Sequence, residues 1–382
     1  MNRPILSVVV PTKNRYQYLY HLIKLVASYN FVDFELVIQD NSDDNSEFLS
    51  NIKIEDYPFI KYFYQSEPVS QSRNSDLSIL NSTGEYVCFI GDDDGVTRFA
   101  IDAARWMKEN NVAILKSSPF NYKWPSFIST QYYNVSSSAL FNKFTMTYRI
   151  VDNKVVLAKL LKTGIDTLNY MPKVYNGIAK RSTLDRIYEK CGSFFPGPSP
   201  DMANAVSLAL EEANYAYVDA PIIIGGHSGH VGGNVNRYKK HYGPLEEQPF
   251  IDKKYIDEWS QEIPKIWCAN TVWPESAITA LKAYDAVSLL SQIDYIEVHK
   301  KFIVENPSIS DMAYNISSNP SLLKKKVFYY KLIRKFKGLR NVLKYKLFGV
   351  YDGMKLYRNV EDIVTAEDLA CNGIVDFKLK KA

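Results

Sequence analysis

Cysteine is scarce and scattered. The four thiols, Cys88, Cys191, Cys268 and Cys371, include no C-x-x-C pair, which argues against both a disulfide framework and a cysteine-based structural metal site. Nowhere do 18 consecutive apolar residues occur, so no membrane-spanning helix is expected. The chain opens Met-Asn-Arg-Pro and passes straight into an apolar run, without the charged region and apolar core of a secretory leader. A cytoplasmic protein is the expectation. Two phosphate-binding signatures are also missing: there is no G-x-G-x-x-G and no G-x-x-x-x-G-K-[ST], which excludes dinucleotide-binding and P-loop versions of an α/β fold. Phosphate charge would have to be met by a metal and by side chains such as Arg73.

What is present is a strand and helix alternation. Leu6-Ser7-Val8-Val9-Val10 reads as a buried strand, Pro11-Thr12-Lys13-Asn14-Arg15 as a loop, and Leu19, Leu22, Ile23 and Val26 as the apolar stripe of a helix. A second strand, Phe34 to Gln39, ends in the acidic and polar run Asp40-Asn41-Ser42-Asp43-Asp44. A helix after Ser70-Gln71-Ser72-Arg73-Asn74 stops near Gly84 and feeds the run Tyr86-Val87-Cys88-Phe89-Ile90. This βαβαβ order predicts an open, mainly parallel sheet with ligands across the carboxyl ends of its strands, where Asp40 and Asp92 would both lie. At 382 residues and 46% hydrophobic content, the chain is long enough for a full α/β core and a further C-terminal unit.

Asp92, Asp93 and Asp94 follow the Tyr86 strand between Gly91 and Gly95. Three adjacent carboxylates at the end of a buried strand repel one another unless a cation or a set of donors compensates them. A divalent metal carrying a phosphate is the compensator that hard oxygen ligands suit, although Asp and Gly also make ordinary solvent turns.

Taken together, Val8-Val9-Val10-Pro11-Thr12-Lys13-Asn14-Arg15, Asp40 in its polar loop, Ser72-Arg73-Asn74 opening a helix and Asp92-Asp93-Asp94 make residues 5 to 100 resemble the nucleotide-binding half of a family 2 glycosyltransferase of the GT-A fold. That resemblance implies inverting transfer of a sugar from a nucleotide diphosphate donor to an acceptor hydroxyl, with Mn²⁺ or Mg²⁺. It assigns Asp94 to the metal and Asp92 or Asp93 to the ribose or sugar. Pro11, Thr12 and Arg15 would line the base pocket, Asp40 would accept from a uracil-type ring nitrogen, and Arg73 would contact base or diphosphate. The chain departs from the family where Gly91 replaces a frequent acid and Asp92 a frequent serine, so the pairing of the three acids with the DXD roles stays open.

Alcohol attack also needs a general base. Tyr175 to Arg181 reads as a strand, Ser182 as the cap of a helix to Cys191, and Gly192 to Pro200 as a lead into Asp201 and a helix from Met202 to about Glu212. The resemblance places the base at Asp201, a position that a helix N-terminus would favour for any carboxylate. After a strand read over 216–224 come five glycines and two of the five histidines within 225–233. That loop offers His227 or His230 as an additional metal or phosphate contact.

The predicted organisation is a catalytic domain over 1–240, with a nucleotide half (1–100) and an acceptor half (101–240), then a mainly helical region over 241–382. In the acceptor half Trp124, Tyr132, Tyr133 and Tyr148 would stack on sugars or pack in the core; Trp259, Trp267 and Trp273 read as core. From Met312 to Tyr351 there is no acidic residue but ten lysines and arginines, more than the net charge of +4 for the whole chain. Phe328, Leu332, Phe336, Leu339 and Leu343 recur there at helical spacing. Segment 321–350 is thus a basic amphipathic helix of the type that lies on anionic lipid, or one packed on the enzyme. No RNA-recognition module accompanies the charge, so no nucleic-acid partner is expected. By analogy, the expected partners are a nucleotide sugar and a glycan or lipid-linked acceptor in bacterial surface polysaccharide synthesis, such as O-antigen, capsule or lipooligosaccharide, at the inner face of the cytoplasmic membrane. The alternatives are a nucleotidyltransferase or a silent GT-A-like scaffold.

Overall fold

The β-branched run at the N-terminus is buried on both faces, which is why it lacks the alternation of a half-exposed strand. In a computed structural model, which describes residues 3–129, 133–229, 242–248 and 251–382, it forms β1 (Leu6–Thr12). Then follow α1 (Tyr16–Ala27), β2 (Phe34–Asp40), α2 (Ser46–Asn51), β3 (Ile60–Tyr64), α3 (Gln71–Leu80), β4 (Tyr86–Phe89), β5 (Gly95–Val96), α4 (Ala100–Glu109) and β6 (Ile114–Ser117). β1 pairs in parallel with β2 and β4, and β2 with β3. Val8, Val10, Leu36 and Ile38 meet Leu19, Leu22 and Ile23 of α1 on one face. Val9, Val37 and Val87 meet Ile79 of α3 on the other.

The chain continues with β7 (Asn121–Lys123), β8 (Ser138–Phe141), β9 (Thr147–Asp152), α5 (Asn153–Lys162), β10 (Ile178–Lys180), α6 (Arg181–Cys191), α7 (Pro200–Glu211), β11 (Asn214–Asp219) and β12 (Ile223–His227). With β13 (Val350–Tyr351), β14 (Met354–Arg358) and β15 (Lys380–Lys381), these complete two sheets. The larger has nine strands in the order β15-β9-β11-β6-β10-β4-β1-β2-β3, and the smaller has six, β13-β14-β8-β7-β12-β5. β10 runs antiparallel between β4 and β6, so β6 and β11 keep the direction of β1 to β4. The result is the mixed, mainly parallel sheet expected of the GT-A class, with its strand carboxyl ends on one edge.

Three local readings change. The strand read over 216–224 is two strands in two sheets: β11 ends at Asp219, and Pro221, which has no N–H for a ladder, lies before β12. The strand read from Tyr175 shrinks to β10, because Asn176 sits at φ 53, outside extended geometry. Helix α6 begins at Arg181, so Ser182 lies in its first turn and does not cap it.

The C-terminal region is mainly helical, with Ala269–Ala283, Tyr295–Glu305 and the 29-residue helix Pro320–Phe348. The long helix starts where the Asn319 side chain accepts from Leu322 N at 3.0 Å and Pro320 takes the first turn. It runs through Gly338 and stops at Gly349, φ 62. The later helix Ile363–Cys371 packs Ile363, Ala366 and Ala370 against Leu25 of α1, and Arg98 donates to Glu367 through Nε at 2.9 Å. β14 pairs with β8 and β15 with β9. The C-terminal segment therefore closes both sheets as well as flanking them. No described helix is long and apolar enough to cross a membrane.

Candidate active site

β4 delivers Ile90 and Gly91 to the carboxyl edge of the large sheet, where Asp92, Asp93 and Asp94 are all buried. Burying three acids together is tolerable only with dedicated donors. Thr12 Oγ1, at the end of β1, donates to Asp92 Oδ2 at 2.7 Å. Arg15, from the β1–α1 loop, reaches Asp92 Oδ1 at 3.1 Å and Asp93 Oδ2 at 3.0 Å. Ser228 Oγ donates to Asp93 Oδ2 at 2.8 Å, and Trp124 Nε1 to the Asp93 carbonyl at 2.9 Å. Asp94 accepts from Gly91 N at 2.8 Å and Gly226 N at 2.6 Å, and from the Tyr175 phenol. The approach of β12 is so close that a Cβ on Gly226 would lie 1.6 Å from the Asp93 carbonyl oxygen. Glycine is required there.

Burial drives Asp92 and Asp94 well above the usual carboxylate range; the Arg15 charge opposes this at Asp92, and the Asp93 charge adds to it at both. The cluster is thus short of positive charge. Two observations bear on whether it suits a cation. Asp92 Oδ1 is buried and accepts no well-aligned hydrogen bond, facing only the Arg15 guanidinium at 3.1 Å. Asp93 Oδ1 and Asp94 Oδ2 both lie 3.3 Å from where a Cβ of Gly91 would stand, so they converge on one small space. Two carboxylate oxygens with phosphate and water completing the shell is how Mg²⁺ and similar ions bind nucleotides, and the residues present fit such an ion. Among the described residues no set of three His, Cys, Asp or Glu side chains is arranged as a self-contained metal centre. His227 Nε2 lies 3.4 Å from Asn121 Oδ1, with its ring edge-on to Phe127. His230 and Tyr132 lie outside the described residues.

Parallel register brings Thr12 level with Asp40. The Asp40 carboxylate is fully buried, accepting from Tyr16 OH at 2.6 Å, Tyr62 OH at 2.7 Å and Ser42 N at 2.8 Å. Pro11 and Arg15 border the same strand end, half-buried. Arg73 stands apart: it is exposed on α3, forms no ion pair with the triplet, and its charge acts on Asp76.

Asp201 occupies the first turn of α7 behind Pro200. Asn204, one turn on, accepts from Val174 N at 3.1 Å and donates to the Phe194 carbonyl at 3.0 Å, tying the segment around Lys173 and Tyr175 to the helix. Lys173 feels the charges of both Asp201 and Asp94, and so does Tyr175. Asp201 and Asp94 therefore both lie near enough to Lys173 and Tyr175 for their charges to act on those side chains. Burial raises the proton affinity of Asp201, with Lys173 opposing. Sequence reasoning missed Lys173, Tyr175, Tyr16, Tyr62 and Ser228. The signal available was Asn176-Gly177 beside Tyr175, a pair that favours the left-handed turn found there.

Of the aromatic residues considered for sugar stacking, Trp124 is buried edge-on to Tyr18 and Tyr122, and Tyr148 packs on Trp106. Tyr133 packs on Tyr345 and Tyr351. Trp259, Trp267 and Trp273 pack with the core clusters.

Residues 7–163 match the model of Glycosyl transferase family 2. Over 94 residues the chain is 36% identical to a GalNAc(5)-diNAcBac-PP-undecaprenol beta-1,3-glucosyltransferase of Campylobacter jejuni, covering 24% of this chain and 30% of that one. Over 114 residues it is 34% identical to an uncharacterized glycosyltransferase of Rickettsia conorii, covering 29% and 18%. The matched part is thus under a third of the length of these curated relatives. Among solved structures, S. aureus TarS 1-349 in complex with UDP-GlcNAc aligns over 94% of this chain and 97% of that one, at 15% identity and a TM-score of 0.47. A mannosyltransferase from Pyrobaculum calidifontis in complex with GDP-Man and Mn2+ aligns over 87% and 89%, at 16% identity and a TM-score of 0.39.

Proposed function

We propose that this chain, whose residues 7–163 match the model of Glycosyl transferase family 2, moves a sugar from a nucleotide diphosphate donor, UDP-linked, to a hydroxyl of a glycan or lipid-linked acceptor with inversion. The observation that carries the reading is the placement of a buried, cation-deficient acid triplet and a second acid, Asp201, about one shared segment. Asp94 and Asp93 would hold Mn²⁺ or Mg²⁺, which when bound neutralises the departing diphosphate. Asp92, fixed by Thr12 and Arg15, would face the ribose or sugar. Asp201 takes the proton of the attacking hydroxyl onto a carboxylate oxygen as the new glycosidic bond forms and the bond to the diphosphate oxygen breaks. Its raised proton affinity suits that role, and the Lys173 charge favours its ionised form. The Asp40 carboxylate faces Tyr16, Tyr62 and Ser42, so any base contact must use the lone pair left on Oδ1.

The acceptor is proposed to be lipid-linked, in surface polysaccharide assembly, because one relative is named for a PP-undecaprenol substrate and because of the long helix. Phe328, Leu332, Phe336, Leu339, Leu343 and Leu347 are all exposed. At 100° per residue they form one stripe on the side away from buried Leu323 and Val327. Lys324, Lys331, Lys335 and Lys346 flank one side of the stripe, and Lys337, Arg340 and Lys344 the other. This pattern matches peripheral contact with an anionic membrane, checked by sedimentation with vesicles.

The transfer reading is tested by incubating purified protein with a panel of nucleotide sugars, with and without Mn²⁺, beside Asp94→Ala. Metal-dependent release of one nucleoside diphosphate, reduced at least about 10²-fold in the variant, supports it. Release that ignores both the metal and the substitution sinks it.

A further inference from the structure

Beside the acid triplet, on the acceptor side, the sheet edge opens into a cavity of about 940 Å³. Its floor is the end of β6 and the strands β7 and β12; its far wall is the β13–β14 hairpin, from Tyr351 to Met354. Lys173, on which the charges of Asp201 and Asp94 both act, is among its lining residues. The cavity therefore reaches Lys173, a side chain on which the charge of the proposed base acts.

The charge of its walls is one-sided. Lys116, Lys123, Lys143, Arg149 and Lys173 line it against two acidic side chains, Asp219 and Asp352. Asp219 is already committed: Oδ1 accepts from Ser118 Oγ at 2.6 Å, and Oδ2 from Thr145 N at 3.1 Å. Arg149 lies over the Tyr217 ring at 4.7 Å, and neither Arg149 nor Lys143 belongs to an ion pair among the described residues. Lys116 Nζ donates to the carbonyls of Leu168 and Met171 at 2.6 and 3.0 Å. Like-charged side chains gathered in a concave site attract and focus a counter-charge from the ligand. The hairpin wall is also continuous with the exposed helix: Pro320–Phe348 ends at Gly349 and β13 starts at Val350. A ligand held against the cavity wall would thus sit beside the surface proposed to meet lipid.

We infer that this cavity binds an acceptor carrying an oxyanion, a phosphate or carboxylate group near the hydroxyl that is glycosylated, with Lys143 and Arg149 as its outer contacts. The inference rests on the transfer reading, because it names the acceptor class of that same site. A neutral glycan would bring no opposite charge to Lys143 and Arg149.

The probes are glucose 1-phosphate, glucuronate and glucose, followed by ligand-observed NMR with the donor site filled by UDP and Mn²⁺. Wild type is compared with Lys143→Gln/Arg149→Gln, both exposed positions. At low ionic strength one of the anionic sugars is expected to bind about tenfold more tightly than glucose, with the preference weakened by salt and lost in the double variant; which sugar wins separates phosphate from carboxylate. Equal binding of all three, a preference unchanged by the double substitution, or displacement of UDP by the anionic sugar would overturn the inference. UDP binding in the same samples keeps the two readings apart. Metal-dependent UDP binding without an anionic preference refutes only the acceptor class, and anionic preference without UDP binding refutes the donor site.

Discussion

On the donor side of the cleft, three buried carboxylates are held by donors that the chain itself supplies, from Thr12, Arg15, Gly91, Gly226 and Ser228. On the acceptor side, five basic side chains line an open cavity with only two acidic ones. The donor side is braced before any ligand arrives, and its shortage is of positive charge, which a metal bound to a diphosphate would bring. The acceptor side has a surplus of positive charge, and its missing partner is an anion. Each half lacks the charge that its proposed ligand carries, so on this proposal donor and acceptor would be discriminated by sign as well as by shape.

The largest expected effect lies where the halves meet. Asp201→Asn keeps size and shape but removes the proton acceptor, and transfer should fall by about 10² to 10⁴-fold while Mn²⁺-dependent UDP binding is preserved. In the wild type the rate should be lost as pH falls through the pKa of Asp201, above the ordinary carboxylate range, because burial raises it and only the ionised form accepts a proton. If UDP binding disappears together with transfer, Asp201 belongs to the donor brace and the division of the cleft is wrong.

The same division explains what the sequence disclosed. The donor side is local: β1, β2, β4 and the acids at their ends fall within 6–94, and the β-branched runs and acid clusters announce both the sheet and the edge where ligands bind. Even there, the partners of Asp40 came from α1 and β3, as Tyr16 and Tyr62, because cross-strand register is not encoded in spacing. The acceptor side draws its walls from Lys116 to Met354. No periodicity joins a lysine at the end of β6 to a hairpin more than 200 residues later, so the cavity was invisible until the chain folded. The basic helix was legible as an amphipathic pattern, since 3.6-residue periodicity is local. Which side it turned outward was not.

That outward face gives the next effect. Replacing Leu332, Phe336 and Leu339 with serine removes three exposed apolar side chains and leaves every lysine in place. Binding to vesicles rich in phosphatidylglycerol should drop by roughly tenfold or more, judged from about 25 cal/mol per Å² of apolar surface, with stability unchanged because these residues are exposed. Equal sedimentation of variant and wild type would mean that the stripe does not enter lipid. Loss of folding would mean that it packs on protein.

The smallest effect tests the acceptor side alone. Burial, aided by the Lys173 charge, lowers the pKa of Lys116 from 10.5 to about 6. Between those values the unfolded chain holds a proton that the folded one has released, so the folded state gains stability as pH rises from about 6 toward 10.5 and carries its full penalty below about 6. Lys116→Met abolishes this dependence while leaving the Leu168 and Met171 carbonyls without their donor, an offset of about 1 kcal/mol each. The variant should therefore gain on the wild type at pH 6.5 and lose that advantage by pH 9, changing by up to about 1.4 kcal/mol per pH unit. Thermal unfolding at the two pH values reads the difference directly. A pH-independent gap between variant and wild type would mean that Lys116 stays charged in the fold, held by its two carbonyls, and that the cavity already pays no electrostatic penalty for an ammonium in its floor. An anionic ligand would then have less to restore there, and the weight of recognition would shift outward to Lys143 and Arg149.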